Sequence, residues 1–102
     1  MKRIALFCSA GMSTSLLVTK MQEAAKKKGL DVSIEAFPEV KMEKLIDDLD
    51  LVLLGPQIRY AYKRAQKLCA EKGIPVDVIS SVDYGMVDGE KVLEKAMKMM
   101  EK

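Results

Sequence analysis

The feature of this sequence that most restricts its fold is an alternation: short runs of branched apolar residues, each followed by a longer segment of helical period. A run too short for a helix and lacking a polar face reads as a strand covered on both sides. Strands of that kind separated by helices form βαβ units and a parallel sheet. Four such pairs fit in the chain. The predicted strands are 3–8, 31–37, 50–55 and 75–80, each apolar enough to be covered on both faces. The first helix is expected from near Ser13 to Gly29, with Leu17, Val18, Met21, Ala24 and Ala25 facing inward and the glycine as its stop. A short helix follows Pro38 across 41–49. A third runs from about Arg59 to Lys72, with Ala61, Ala65, Leu68 and Cys69 inward, and ends at Gly73. The last covers 89–101, capped by Asp88, and buries Val92, Leu93, Ala96, Met97 and Met100.

Right-handed crossovers and short connections leave few ways to join these elements. The simplest is an α/β fold: a small, doubly wound, four-stranded parallel sheet of order 2-1-3-4, flavodoxin-like, with helices on both faces. A length of 102 residues, 49% of them hydrophobic, supplies one ordinary core, so a single domain over 1–102 is expected. In such sheets ligands bind beyond the carboxyl ends of the strands, where the strand order reverses. Those ends carry Cys8 and the turn Gly55-Pro56-Gln57.

Composition then removes whole classes of chemistry. With no histidine, the chain lacks the commonest metal ligand, the commonest general base and every Ser-His or Cys-His nucleophile pair. A net charge of +2, from 17 basic and 15 acidic residues dispersed along the chain, is no nucleic-acid footprint. No stretch approaches the ~18 apolar residues of a membrane span. Lys2 and Arg3 lead only into the short run Ile4 to Cys8, so a cytoplasmic protein, neither exported nor membrane-spanning, is expected. Cys8 and Cys69, far apart and without a CxxC pattern, suit reduced thiols better than a disulfide.

The run Cys8-Ser9-Ala10-Gly11-Met12-Ser13-Thr14-Ser15 joins the first strand to the first helix and is made almost wholly of small or hydroxyl residues. Small side chains let backbone N–H groups converge, and the helix dipole adds about half a positive charge at the helix start, which together make an anion cradle. A cysteine beside a helix N-terminus can be held as a thiolate by that field, without any histidine. The same cradle suits a phosphoryl group on that sulfur. Ser9, Ser13, Thr14 and Ser15 add hydroxyl donors, and Gly11 permits close backbone approach. The bland alternative, a cysteine that merely ends a buried strand, fits Cys69 better, because that residue lies mid-helix on an apolar face.

At this loop the sequence resembles the IIB proteins of the lactose/cellobiose/chitobiose class of phosphoenolpyruvate-dependent sugar phosphotransferase systems. The similarity extends over LFCSAGMSTSLLV at 6–18, IEAFPE at 34–39, VLLGPQI at 52–58 and YGMVDG at 84–89. It implies that Cys8 accepts a phosphoryl group from a phosphohistidine of a IIA protein and passes it to a sugar held by the membrane component IIC. No metal or other cofactor is implied. The regions of Gln57, Arg59, Tyr84 and Asp88 are expected near the loop or at partner surfaces, against plainer roles as a helix-start charge for Arg59, a half-buried core residue for Tyr84 and a cap for Asp88. A monomer is the expectation.

Three other readings compete with this one. A low-molecular-weight phosphatase or arsenate reductase uses a Cys-x5-Arg loop after its first strand, and that pattern places arginine where this chain has Thr14, so the guanidinium that clamps the transferring phosphoryl is missing from the loop, which leaves Arg59, after the third strand, as the arginine that could reach in. An FMN carrier needs aromatic walls, and the chain has no Trp, three Tyr and two Phe. A receiver domain needs an aspartate where Gly55 stands.

Overall fold

The computed structural model describes residues 1–9 and 12–101. Four parallel strands, β1 (Lys2–Cys8), β2 (Val32–Pro38), β3 (Leu51–Leu54) and β4 (Val76–Val78), form one sheet in the order β2-β1-β3-β4. That is the predicted order. The helices are α1 (Met12–Lys27), α2 (Met42–Leu45), α3 (Tyr62–Ala70), α4 (Ser81–Gly85) and α5 (Gly89–Met100).

Side chains alternate across β1 and split the core into two layers. Ile4 and Leu6 face α1 and α5 and pack with Leu17, Met21, Val92, Leu93 and Ala96. Ala5 and Phe7 face α2 and α3 and pack with Met42, Ile46, Ala65 and Cys69. Each large side chain of this kind contributes about 1.5–3 kcal/mol on burial, which fixes both faces of the central strands. Only β1 and β3 are covered on both faces, however. The edge strands β2 and β4 are half-exposed, because each has a neighbour on one side only, and β4 shrinks to three residues.

The helix stops read from the sequence hold in detail. Gly29 and Gly73 have φ of +67° and +69°. Beyond each, the next amide reaches back to the helix, Leu30 N–H to the Ala25 carbonyl at 2.9 Å and Ile74 N–H to the Cys69 carbonyl at 3.0 Å, the double hydrogen-bond stop that favours glycine. Gly89 serves a different need. A Cβ there would lie 2.6 Å from the Lys20 carbonyl carbon and the Met21 nitrogen, so α5 crosses α1 with its backbone in contact.

Three expectations change. The helix predicted over 41–49 is a 3-10 turn (Glu39–Lys41), the single turn α2 and a second 3-10 turn (Ile46–Asp48), which together just bury Met42 and Ile46. The third helix starts late: Pro56–Ala61 is 3-10 and kinks at Ile58 (φ −118°, ψ 32°), whose side chain is drawn fully into the core. Finally, α4 was not expected. Its start is capped by Ser80, whose hydroxyl accepts the Asp83 N–H at 3.1 Å, the pairing that a Ser-x-x-Asp spacing favours.

Candidate functional site

All four strand-to-helix connections emerge at the carboxyl end of the sheet. Cys8 closes β1 there, in register with Pro38 on one side and next to Gly55 on the other, where Gly55 N–H donates to the Phe7 carbonyl at 2.9 Å. Central strands are buried, and so is this residue: Cys8 is 3% exposed. Its sulfur is therefore recessed rather than displayed, which is more covered than an open nucleophile. The two cysteines form no disulfide.

Space beside the cysteine is kept by Gly55. A Cβ on that residue would stand 3.6 Å from the Cys8 Cβ and 2.8 Å from the Gln57 side-chain oxygen, so the Gln57 amide folds back over Gly55 toward the cysteine. Gln57 is thus brought to the site. Arg59 lies further along the same connection with an exposed side chain.

The loop after Cys8 is described in part. Ser9 is exposed, and α1 begins at Met12, which puts a helix N-terminus directly beyond the loop. Ala10 and Gly11, and the side chains of Met12 and Ser13, lie outside the described residues. Ser15 is exposed, and its carbonyl accepts the Thr19 hydroxyl at 3.1 Å. Thr14 behaves differently from the free hydroxyl donor that the sequence suggested. It is fully buried, and its Oγ1 pairs with the Tyr84 hydroxyl at 2.9 Å. Where the phosphatase pattern places an arginine, this chain has two hydroxyls tied to each other.

That pair brings the fourth connection to the first. Tyr84 sits on α4, half-buried against the α1 layer. Beside it, Asp83 is buried and takes two lysines of α5: Lys95 Nζ donates at 3.2 Å and Lys91 Nζ lies at 3.8 Å. The Lys95 hydrogen bond holds the Asp83 carboxyl below its ordinary range, against the upward push of burial. Asp88 is a cap, accepting the Lys91 N–H at 3.1 Å, the plainer of the two roles considered for it. Sequence reasoning missed Asp83 and α4, although the Ser80-x-x-Asp83 spacing is a visible signal.

The far thiol offers the contrast. Cys69 is fully buried in α3, and burial pushes its pKa up. Among the described residues no group of three His, Cys, Asp or Glu side chains is placed to hold a metal, and no helix is long and apolar enough to cross a membrane.

Comparison with known proteins agrees with this geometry. The model of the family described as "PTS system, Lactose/Cellobiose specific IIB subunit" matches residues 3–95. The oligo-beta-mannoside-specific EIIB component of Bacillus subtilis is 44% identical over 100 residues, covering 98% of this chain and 97% of its own length. The galactose-specific EIIB component of Lactococcus lactis is 43% identical over 97% of this chain and 96% of its own length. Among solved structures, the cellobiose-specific IIB component of Borrelia burgdorferi superposes with a TM-score of 0.81 at 42% identity, covering 97% of this chain and 91% of that one.

Proposed function

This chain belongs to the lactose/cellobiose-specific IIB family of the sugar phosphotransferase system, and we propose that Cys8 is the residue on which it carries the phosphoryl group. As a IIB component the chain is a phosphoryl carrier in sugar phosphorylation, working with IIA and IIC partners. The relationship favours this reading over the phosphatase alternative, and Thr14 agrees, being buried and bonded to Tyr84 where a phosphatase keeps a guanidinium.

The observation that carries the assignment to Cys8 is positional. It is the nucleophilic side chain at the carboxyl end of a central strand, beside the strand-order reversal and directly before a helix start. In the first transfer the donor's histidine N–P bond breaks as the Cys8 S–P bond forms. The electron pair of the old bond stays on the imidazole nitrogen, which takes up a proton, while the thiol proton leaves. In the second, the S–P bond breaks as a sugar hydroxyl oxygen bonds to phosphorus and gives up its proton, returning the thiolate. Both are in-line displacements in which positioning and electrostatic stabilisation do most of the catalysis. Ser9, Ala10, Gly11, Met12, Ser13, Thr14 and Ser15 are read as the phosphate loop, with the Tyr84 hydroxyl on Thr14 and the Gln57 amide beside Gly55, and no metal is required.

A sulfur only 3% exposed is a poor target for a passing small molecule. It suits delivery by a docked protein. The donor is read as a IIA phosphohistidine, the acceptor as a sugar bound to IIC, the location as the cytoplasm, and the chain as a monomer. Relatives named for an oligo-β-mannoside and for galactose match almost equally well, which supports placing sugar choice in the membrane partner.

The test is intact-mass measurement after incubation with phosphoenolpyruvate and the complete soluble phosphotransfer chain. One added phosphoryl group, absent without IIA and absent in Cys8→Ser, is the expected result. Label that persists in Cys8→Ser moves the nucleophile elsewhere.

A further inference from the structure

Residues 84–89, YGMVDG, lead from α4 into α5 and meet α1 at two places. The Tyr84 hydroxyl lies 2.9 Å from Thr14 Oγ1, in the first turn of α1. At the other end, Gly89 comes so close that a Cβ there would stand 2.6 Å from the Lys20 carbonyl carbon and the Met21 nitrogen. On α1 these contacts are six residues apart, about 9 Å along the axis. Two points at that separation fix both where the start of a helix sits and which way it is turned.

The segment that makes these contacts is itself held. A helix of one turn, such as α4, does not support itself. Its start is closed by the Ser80 hydroxyl, which accepts the Asp83 N–H at 3.1 Å. Its end is closed by Val87 N–H to the Tyr84 carbonyl at 3.2 Å and by Asp88 N–H to the Asp83 carbonyl at 3.0 Å, with Val87 at φ +52°. That is the double hydrogen-bond stop usually built on glycine. A β-branched residue persists in it only where the surroundings over-determine its conformation, and Val87 packs against the core layer of α1 and α5. The buried Asp83 carboxylate accepts from Lys95 Nζ at 3.2 Å, with Lys91 Nζ at 3.8 Å, and so ties α4 to α5.

The phosphate loop needs such support more than an arginine loop does. Cys8 lies two residues beyond Leu6 and faces the same layer as α1, α4 and α5. With no arginine between Cys8 and Ser15, a phosphoryl group on the sulfur depends on backbone amides and hydroxyls. Amides at a helix start stabilise charge only where they are already aimed, and a displacement of about 1 Å can cost a hundredfold in rate. Packing alone would be met by valine at 14 and phenylalanine at 84. A pair of hydroxyls adds direction.

We propose that residues 84–89 clamp the start of α1, and that Tyr84 is a positioning residue which acts through Thr14 to hold the loop amides around the Cys8 phosphoryl group. Asp83 anchors the clamp. This rests on the carrier reading above, and it gives Tyr84 no contact of its own with the reacting atoms.

The test follows single-turnover transfer from a phosphorylated IIA protein of the lactose/cellobiose class to the full chain over a range of donor concentrations, read by intact mass. Tyr84→Phe and Thr14→Val are each expected to lower the rate at saturating donor by about tenfold or more, with the half-saturating donor concentration within about twofold of the parent. Because one residue acts through the other, the double variant should be no more than about twofold slower than the slower single variant. Thr14→Ser keeps a hydroxyl and should bring the rate back to within about threefold of the parent. Asp83→Asn should show the same split between rate and half-saturation, and Lys95→Met, which leaves Asp83 with Lys91, a smaller form of it. Cys69→Ser controls for stability: it weakens the opposite core layer, and its saturating rate should match the parent.

A saturating rate of Tyr84→Phe within about twofold of the parent overturns the clamp, whatever the melting temperature does. So does a raised half-saturating concentration at an unchanged saturating rate, which makes Tyr84 a contact for the donor. A double variant slowed by the product of the two single effects overturns action through Thr14. Label that survives Cys8→Ser defeats the carrier reading and takes the clamp with it, and that result is read in the Tyr84 parent before any clamp variant is compared.

Discussion

Cys8 and Cys69 are both thiols and both almost wholly buried, yet they stand in opposite situations. Cys69 lies inside a helix, on a face pressed against Phe7, Val52 and Ala65 in one continuous apolar cluster. Cys8 ends a strand, at the boundary where β1 gives way to a loop and then to a helix start. Burial alone therefore does not distinguish the two thiols. What separates them is whether the backbone at the sulfur lies within an element, committed to that element's hydrogen bonds, or at the end of one. Inside α3 it is committed, and at the end of β1 the ladder stops.

Paired serine substitutions break or sharpen that contrast most strongly. Cys8→Ser is expected to lower phosphoryl incorporation by at least about a hundredfold with little change in melting temperature. Cys69→Ser should leave incorporation intact and cost about 1–3 kcal/mol in denaturant unfolding, since a hydroxyl replaces a thiol where no partner is waiting. The pH dependence sharpens this further. Burial raises the Cys69 pKa above its ordinary value of 9.0, so the unfolded thiol ionises first and the native state binds more protons above that point. Its stabilising contribution is then whole below about pH 9 and declines as pH rises through the native value. Cys69→Ala should flatten that alkaline decline. In the native protein an alkylating reagent should modify both thiols slowly, since Cys8 is 3% exposed and Cys69 fully buried, with Cys8, at the end of its strand, the faster of the two.

A smaller effect is expected at Tyr84. Tyr84→Phe removes the partner of the buried Thr14 hydroxyl, at a cost of about 1 kcal/mol. A double-mutant cycle with Thr14→Val should return a coupling of similar size, since the two hydroxyls are each other's partner at 2.9 Å. Cys69 lies in the opposite core layer, so its alkylation rate should not respond.

How much of this was legible beforehand follows the same line between interiors and boundaries. The sheet order, the inward faces of α1 and α5 and both glycine stops follow from apolar periodicity and from residues with one physical use, such as Gly29 and Gly73. The Cys8 loop stood out because small and hydroxyl residues are a costly way to end a buried strand. Edges and connections were less legible. Half-exposed β4 lacks a long apolar run, and α4 is a single turn that no periodicity can announce. The 3-10 stretch over Pro56–Ala61 depends on Ile58 reaching the core, a tertiary fact. The Thr14–Tyr84 bond joins residues seventy positions apart, which a single sequence does not reveal.

The smallest effect sits at Gly55 and distinguishes the two thiols most finely. Gly55 has φ −64° and ψ 151°, a conformation open to any residue, so alanine there strains no backbone. Its added methyl would meet only the end of the Gln57 side chain at 2.8 Å, a group free to swing away, with the Cys8 Cβ at an ordinary 3.6 Å. Gly55→Ala should therefore leave stability unchanged or raise it by a few tenths of a kcal/mol, by restricting the unfolded chain. The displaced Gln57 amide, however, is the side chain that folds over Gly55 toward Cys8. The phosphoryl-transfer rate and the alkylation rate at Cys8 should both shift, while alkylation of Cys69 on unfolding stays the same. Were Cys8 chemistry equally indifferent, Gln57 would be only a surface side chain resting on a turn, and the space that Gly55 leaves would have no bearing on the sulfur.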